Sequence, residues 1–491
     1  MKPNRLIILI TLLIFGLSLQ TALADDLDDL DSLSDSMTSD QQGSSNSDLE
    51  ELDAADSDEL DMDSEQVEEM ESSDDASGLK VNFGGYLKML SYWNQEKYSD
   101  LLWNMFQSYP TQPPAQDLSG FNNVGTRLQL KIEGYLGEHA RLFSAFNINY
   151  NIAGSIHDTT TTTTDGQKQN ADLRMVESFV EVYEGSRIWK VGPQLVTWSY
   201  LEGMEVPTDR VNARDNSYKS TEYEDSKLPS TGVLLTQNIS SSQFEVMMIP
   251  IARTNIGMEF QNYLYPGAED SPKRKPNQTK WATRFSSTVG KLDYAISYVE
   301  GIDPNADLHV ATIVGGQPVF GRAYNRIKSP GLDLQYNLGS LLAKLSYVNT
   351  MTEDEDGDSL LIKNSWNKYV IGSEFSVGGS TVNIYAGQHT IQDFKIDAFS
   401  QQTNFLLGQI RERTDFISGH INANFLTGDA LNMVLMAANY WDEEGESVQT
   451  IVRGTFKYKI ADGLDLLFTP SYMDMLDNQF TDIQTEIKYS F

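Results

Sequence analysis

The chain has 491 residues, 40 % of them hydrophobic, with a formal net charge of −34 and no cysteine. Without thiols neither a disulfide framework nor a thiolate metal site can form. The acidic balance disfavours a nucleic-acid partner, because phosphate binding needs a basic surface.

At the start, Lys2 and Arg5 precede an apolar run over 6–19, and Ala22-Leu23-Ala24 supplies the small residues of an A-x-A cleavage site. The run is shorter than the ~20 apolar residues of a membrane-spanning helix, so a signal peptide over 1–24 is expected. Residues 25–79 form an acidic, low-complexity segment, with 22 Asp and Glu between positions 25 and 78 and no Lys or Arg. Such a composition buries too little apolar surface to offset its chain entropy, which predicts a disordered periplasmic segment. Capture of divalent cations and docking to a basic partner are the functional alternatives.

From Lys80 to Phe491 the texture changes. Runs of 9–15 residues alternate apolar with polar or small side chains. Between 127 and 133, Leu128, Leu130 and Ile132 take one face, while Arg127, Gln129, Lys131 and Glu133 take the other. A period of two over that length predicts a strand with one apolar and one polar face. About eighteen such runs follow one another: 81–93, 122–136, 139–151, 172–184, 186–200, 228–240, 242–251, 280–290, 291–301, 326–338, 340–350, 366–377, 379–390, 413–427, 429–441, 447–460, 461–473 and 480–491.

The connections alternate between tight joints, such as 134–139, 184–186 and 461–463, and long polar segments, such as 94–121, 201–227 and 302–325. That rhythm predicts an all-β fold: a transmembrane up-and-down antiparallel barrel of about eighteen strands, sixteen being the alternative count. Its apolar face would meet lipid. A barrel of that width leaves a lumen, which the polar strand faces would line. Candidates are Arg127, Gln129, Lys131, Glu133, Arg141, Arg174, Glu177, Glu181, Arg453 and Lys457. The basic members concentrate towards the two ends of the chain, which become neighbours on closure. Charged rings of this kind set the selectivity of a pore for polar or anionic solutes.

The chain closes on TEIKYSF, where Ile487, Tyr489 and Phe491 share one face. This resembles the C-terminal signature of bacterial outer-membrane barrels, and the resemblance implies recognition of Tyr489 and Phe491 by the barrel-assembly machinery. A second stretch, KVGPQLVTWSYLEGMEVPTDRVNARDNS at 190–217, resembles a short pattern in porin-like outer-membrane proteins of unassigned function. The matching positions are Val191, Gly192, Gln194, Trp198, Asp209, Asn212 and Asp215. Ser199 and Ala213 depart from it. A Pro-, Asp- and Asn-rich segment at a strand end can fold inward as a constriction. Trp198, Glu202, Glu205, Asp209, Asn212, Arg214 and Asp215 are its candidates, and an Asx-turn cluster ordering an outer loop is the structural alternative.

Together these readings place the chain beside Gram-negative porin-like barrels of the substrate-specific or alginate-export type. The resemblance implies a cell-outer-membrane location, a lipid surround and passage of a small polar solute. Porin-like barrels are often trimers, so a homotrimer is one implied assembly, although no stripe in the sequence marks a subunit interface. Two other functions fit the same pattern: a plug-less receptor barrel for a metal chelate, and a structural sleeve around a partner such as an electron carrier. The five histidines are scattered, and neither G-x-S-x-G nor H-E-x-x-H occurs. No catalytic residue, metal site or cofactor is therefore expected.

Overall fold

A computed structural model describes residues 80–94, 120–153, 171–203, 206–215, 226–256, 272, 278–395, 400–425, 430–475 and 478–491. The expected signal peptide, the acidic segment and Glu205 lie outside the described residues, as does most of the connections at 94–121 and 152–171.

The strands, in chain order, are β1 (Lys80–Asn94), β2 (Gly120–Leu136), β3 (Ala140–Ala153), β4 (Ala171–Glu184), β5 (Arg187–Gln194), β6 (Ala213–Arg214), β7 (Lys227–Leu228), β8 (Ser230–Ile239), β9 (Ser242–Ile249), β10 (Lys280–Val289) and β11 (Leu292–Ile302). They continue with β12 (Asp307–Val314), β13 (Gln317–Ala323), β14 (Arg326–Asn337), β15 (Leu341–Thr352), β16 (Trp366–Val377), β17 (Ser380–Ile391), β18 (Arg413–Phe425), β19 (Leu431–Asp442), β20 (Ser447–Ala461), β21 (Leu464–Met475) and β22 (Asn478–Ser490). One helix, α1 (Ser400–Leu407), lies between β17 and β18.

Eighteen of these strands form a single antiparallel sheet in which each pairs with its neighbour along the chain. Only the two excursions β6–β7 and β12–β13 are skipped, so β5 pairs with β8 and β11 with β14. β1 also pairs with β22, placing Lys88 opposite Lys488 and Leu87 opposite Tyr489. The sheet is thereby closed and has no edge, which is what a β-structure in lipid requires.

The two faces of each strand are sorted by polarity in the reverse of a soluble sandwich. Outside, Phe83 is 69 % exposed and Met89 51 %, with Ile296, Ile371, Phe468, Ile487 and Phe491 similarly open. Inside, Lys88, Asn383, Ser346 and Glu486 are fully buried. An exterior of large apolar side chains cannot be left to water in a closed barrel of this size, so the barrel is membrane-embedded.

Several boundaries differ from the sequence reading, each for a stated cause. The expected strand 186–200 stops at Gln194, because the next two amides leave the ladder for side chains: Leu195 N–H donates to Glu177 Oε1 and Val196 N–H to Asn212 Oδ1. The expected loop 302–325 contains the hairpin β12–β13, turned at Gly315 and Gly316, whose φ angles of 59° and 82° suit glycine. In β4 the register slips between Met175 and Glu177, leaving Val176 as an extra residue. This bulge re-phases the strand. It puts Arg174, Glu177 and Glu181 on one face, which strict alternation would forbid.

Candidate functional site: an inserted segment and the charged wall opposite

The lumen is shaped by residues 195–203 and 206–215, which leave the wall at Gln194 and lie in the interior. Asn212 pins the two limbs of this excursion together. Its amide donates to Gln194 O, Leu228 O and Ser230 Oγ and accepts from Val196 N–H, all within 3.3 Å. Val196, Trp198 and Val211 then pack on Leu234, Met247, Ile249, Ala282 and Val299, the inward side chains of β8 to β11. Further along, Leu201 seats on Val370, Tyr385 and Phe416 of β16 to β18. Glu202 N–H reaches Tyr385 Oη at 3.5 Å, and the Glu202 carboxylate lies 3.9 Å from His420 Nε2. Burial holds the Glu202 carboxyl above its usual range, with Lys344 opposing and Glu374 adding to the shift. The excursion thus covers one arc of the wall, from β8 round to β18.

Its return limb is fixed by charge. Asp209 pairs with Lys227 at 2.9 Å and with Arg214 at 3.5 Å. The Arg210 guanidinium lies 5.0 Å over the Trp366 ring and 3.9 Å from Asp303. Burial lowers the affinity of Arg210 for its proton despite Asp303. Asp303 is itself buried, which by itself would raise its pKa, yet Lys363 and Arg210 hold it below the usual carboxylate range. The Lys280 ammonium donates to Arg210 O and Val211 O at 2.8 and 2.9 Å, a clamp from the wall onto the segment's backbone. A small polar cavity of about 170 Å³ remains beside this limb, lined by Asp209, Arg210, Asn212, Arg214, Asn255, Pro304 and Asn305.

The arc formed by β20 to β22 and β1 to β5 is charged, as the covered arc also is at the Arg284–Glu245 and Lys344–Glu374 pairs. Lys88 and Glu486 form an ion pair of 3.0 Å across the β1–β22 seam, both side chains essentially inaccessible. Arg127 Nε donates to Asn149 Oδ1 at 2.7 Å, and Gln129 Nε2 to Asn147 Oδ1 at 3.0 Å. Arg141 bridges Glu133 and Glu181 at 2.5 and 3.3 Å. Arg174 reaches from the wall to Asp215 on the inserted segment. Lys131 shares the inward face of β2 with Arg127 and Gln129 and is exposed. Arg453 faces inward opposite Met436, and Lys457 pairs with Asp465 at 3.2 Å.

All ten sequence candidates for the polar strand faces thus sit on the inner wall of this one arc. Those on 195–215 divide. Trp198 and Asn212 are spent on the segment's own anchoring, Asp209, Arg214 and Asp215 on ion pairs, and Glu202 lies at the tip contact. Sequence reasoning passed over Lys88, Glu486, Lys280 and Asp303. The Lys88–Glu486 pair had a signal, since Glu486 alternates with Ile487 on the polar face of the last strand. Lys280 and Asp303 had none, because each sits at a strand end whose partner comes from a distant loop. Among the described residues no cluster of His, Asp and Glu is suited to hold a metal ion.

A closed eighteen-strand barrel, apolar without and charged within, carrying a segment folded into its lumen, has the architecture of a membrane-spanning porin. No family model matches the chain, and no curated protein does. Solved structures do. OpdK of Pseudomonas aeruginosa with vanillate is 10 % identical, with a TM-score of 0.51 over 84 % of this chain and 98 % of that one. OccAB3 of Acinetobacter baumannii is 12 % identical, with a TM-score of 0.51 over 84 % and 99 %. A BenF-like porin from Pseudomonas fluorescens is 10 % identical, with a TM-score of 0.52 over 84 % and 98 %. At these identities the likeness is one of fold: this chain has the fold of Gram-negative outer-membrane porins.

Proposed function

We propose that the protein is an outer-membrane channel for small polar or anionic solutes. The observation that carries this reading is the arc of inner wall from β20 through β1 to β5, which the inserted segment meets at Glu177 and Arg174 of β4 and which carries Arg127, Lys131, Arg141, Lys190, Arg453 and Lys457. A charged strip facing a segment that occupies the rest of the lumen makes a one-sided guide, selecting by charge along the strip and by size against the segment. The solved structure of OpdK with vanillate, an organic anion, supports the anionic preference. Carboxylates interleave with the cations, so a solute with both donors and acceptors suits the strip better than a bare halide.

The test is single-channel recording of the refolded protein in a planar bilayer under a salt gradient. Discrete open steps with a reversal potential displaced towards the anion are expected, and Arg127→Glu with Lys131→Glu should reverse its sign. A folded, correctly inserted barrel that passes no current would overturn the reading.

A further inference from the structure

We propose that a monovalent cation binds between the inner wall and the inserted segment, held by the oxygens of Asp333, Ser346 and Thr208. Two of these meet through the sheet. Asp333 of β14 lies opposite Ser346 of β15, and directly paired positions bring Cβ atoms within about 5 Å of each other. Thr208 comes from the segment, in a turn closed by Asp209 N–H donating to Val206 O. It seats over Gly331, where a Cβ would come 2.9 Å from Thr208 Cγ2 and 2.6 Å from Ser297 Oγ. A side chain at 331 would hold the segment off β14, so glycine is what permits the approach.

The three oxygens are adjacent yet unbonded. The Ser346 and Thr208 hydroxyls stand beside the Asp333 carboxylate, but Asp333 Oδ1, Ser346 Oγ and Thr208 Oγ1 are all buried without a hydrogen-bond partner. The residues themselves are 1 %, 0 % and 1 % exposed. Buried polar groups in native proteins are satisfied by protein, water or an ion, and here charge selects the ion. Asp333 forms no ion pair among the described residues. Arg284, whose charge reaches it, is paired with Glu245 at 3.3 Å, and Asp209 adds like charge. Lys344, two residues from Ser346 on the same face, is bound to Glu374 at 2.6 Å. A buried carboxylate without a counter-charge is costly, and coordinating a cation offsets that cost. Carboxylate and hydroxyl oxygens are hard ligands. One carboxylate balances one positive charge, whereas calcium takes about six to eight oxygens and usually several carboxylates. A cation here would tie the segment to β14 and β15, a role that does not rest on the channel reading.

Unfolding of the refolded barrel from micelles tests the site, with sodium chloride compared against N-methylglucamine chloride at equal ionic strength. A ligand that binds only the folded state raises the midpoint, so a rise that saturates with sodium is expected. Asp333→Asn should raise the half-saturating sodium concentration at least tenfold, and Thr208→Val severalfold. Equal midpoints in the two salts would overturn the proposal, as would a sodium effect that both variants retain. A response to calcium alone would remove the monovalent assignment. Should Asp333→Asn fail to fold, Thr208→Val and thallium-soaked crystals of the unaltered protein still decide. An anomalous peak bridging Asp333, Ser346 and Thr208 is expected there, and water-like density without anomalous signal would sink the site.

Discussion

The two arcs of the inner wall obey different rules although they belong to one sheet. On the seam arc, β1 alternates as a porin strand should, with Leu87 and Met89 outside and Lys88 between them inside. On the covered arc, the inner face of β9 carries Met247 and Ile249 beyond Glu245, buried within, while Phe244 lies outside. The backbone geometry is the same. What differs is the neighbour: the opposite charge of Glu486 in one case, Val196, Trp198 and Val211 in the other. Lumen polarity thus reports what lies against the wall rather than the fact of facing inward, and an apolar inner strand marks where protein fills the barrel.

The sharpest way to break this comparison is to strip the cover. Trp198→Ala removes an aromatic buried to 2 % exposure and should cost about 3–5 kcal/mol of packing. Larger and noisier current steps are expected, and wild-type steps would show that the segment does not limit the lumen. On the other arc, Lys88→Met strands Glu486 and should cost about 3–5 kcal/mol, whereas Lys88→Met with Glu486→Met should restore most of it. Denaturant unfolding from micelles measures both, and a double variant as weak as the single one would refute an energetic coupling.

A smaller effect is expected at Asn212→Ala, which orphans the Val196 amide and three acceptors at about 1–3 kcal/mol for the set. Faster hydrogen exchange at Val196 without change on the seam arc is the expected signature. The tip contact should respond to pH. Because burial raises the Glu202 carboxyl, its ionised form is the disfavoured one in the docked state. Docking is therefore firmer when the group is protonated and loosens as pH rises above the ordinary value of 4.5. Current flicker should increase over that rise and lose its pH dependence in Glu202→Gln. Smallest of all, Lys131→Gln should leave stability within about 0.5 kcal/mol while moving the reversal potential towards cations.

Much of this architecture was readable in advance. The alternation around Leu128, Leu130 and Ile132, and the rhythm of short and long joints, express the sheet's period and its turns, which are local properties. The bulge at Val176 was not readable, since an extra residue in one strand shows only against its partner. The end of β5 at Gln194 was hidden for a related reason: Val196 and Trp198 continue the alternation, and only Asn212, far along the chain, draws them off the ladder. The inward fold of 195–215 was one of two options from its Pro, Asp and Asn content. The choice depended on Met247, Ile249 and Val299, whose apolar inner positions had been read simply as strand.

The Lys88–Glu486 pair has a bearing on how the barrel comes to exist. It joins the two strands farthest apart in sequence, so its contact forms at the greatest loop-closure cost and belongs to the last stage of folding. Sliding β22 by one residue against β1 would turn Lys88 or Glu486 towards lipid. Sliding it by two would keep both inside: in one direction it separates them and leaves two charges apart in the wall, and in the other it sets Glu486 directly opposite Lys88. The pair thus penalises closure in a register one residue off, where one of its charges would face lipid.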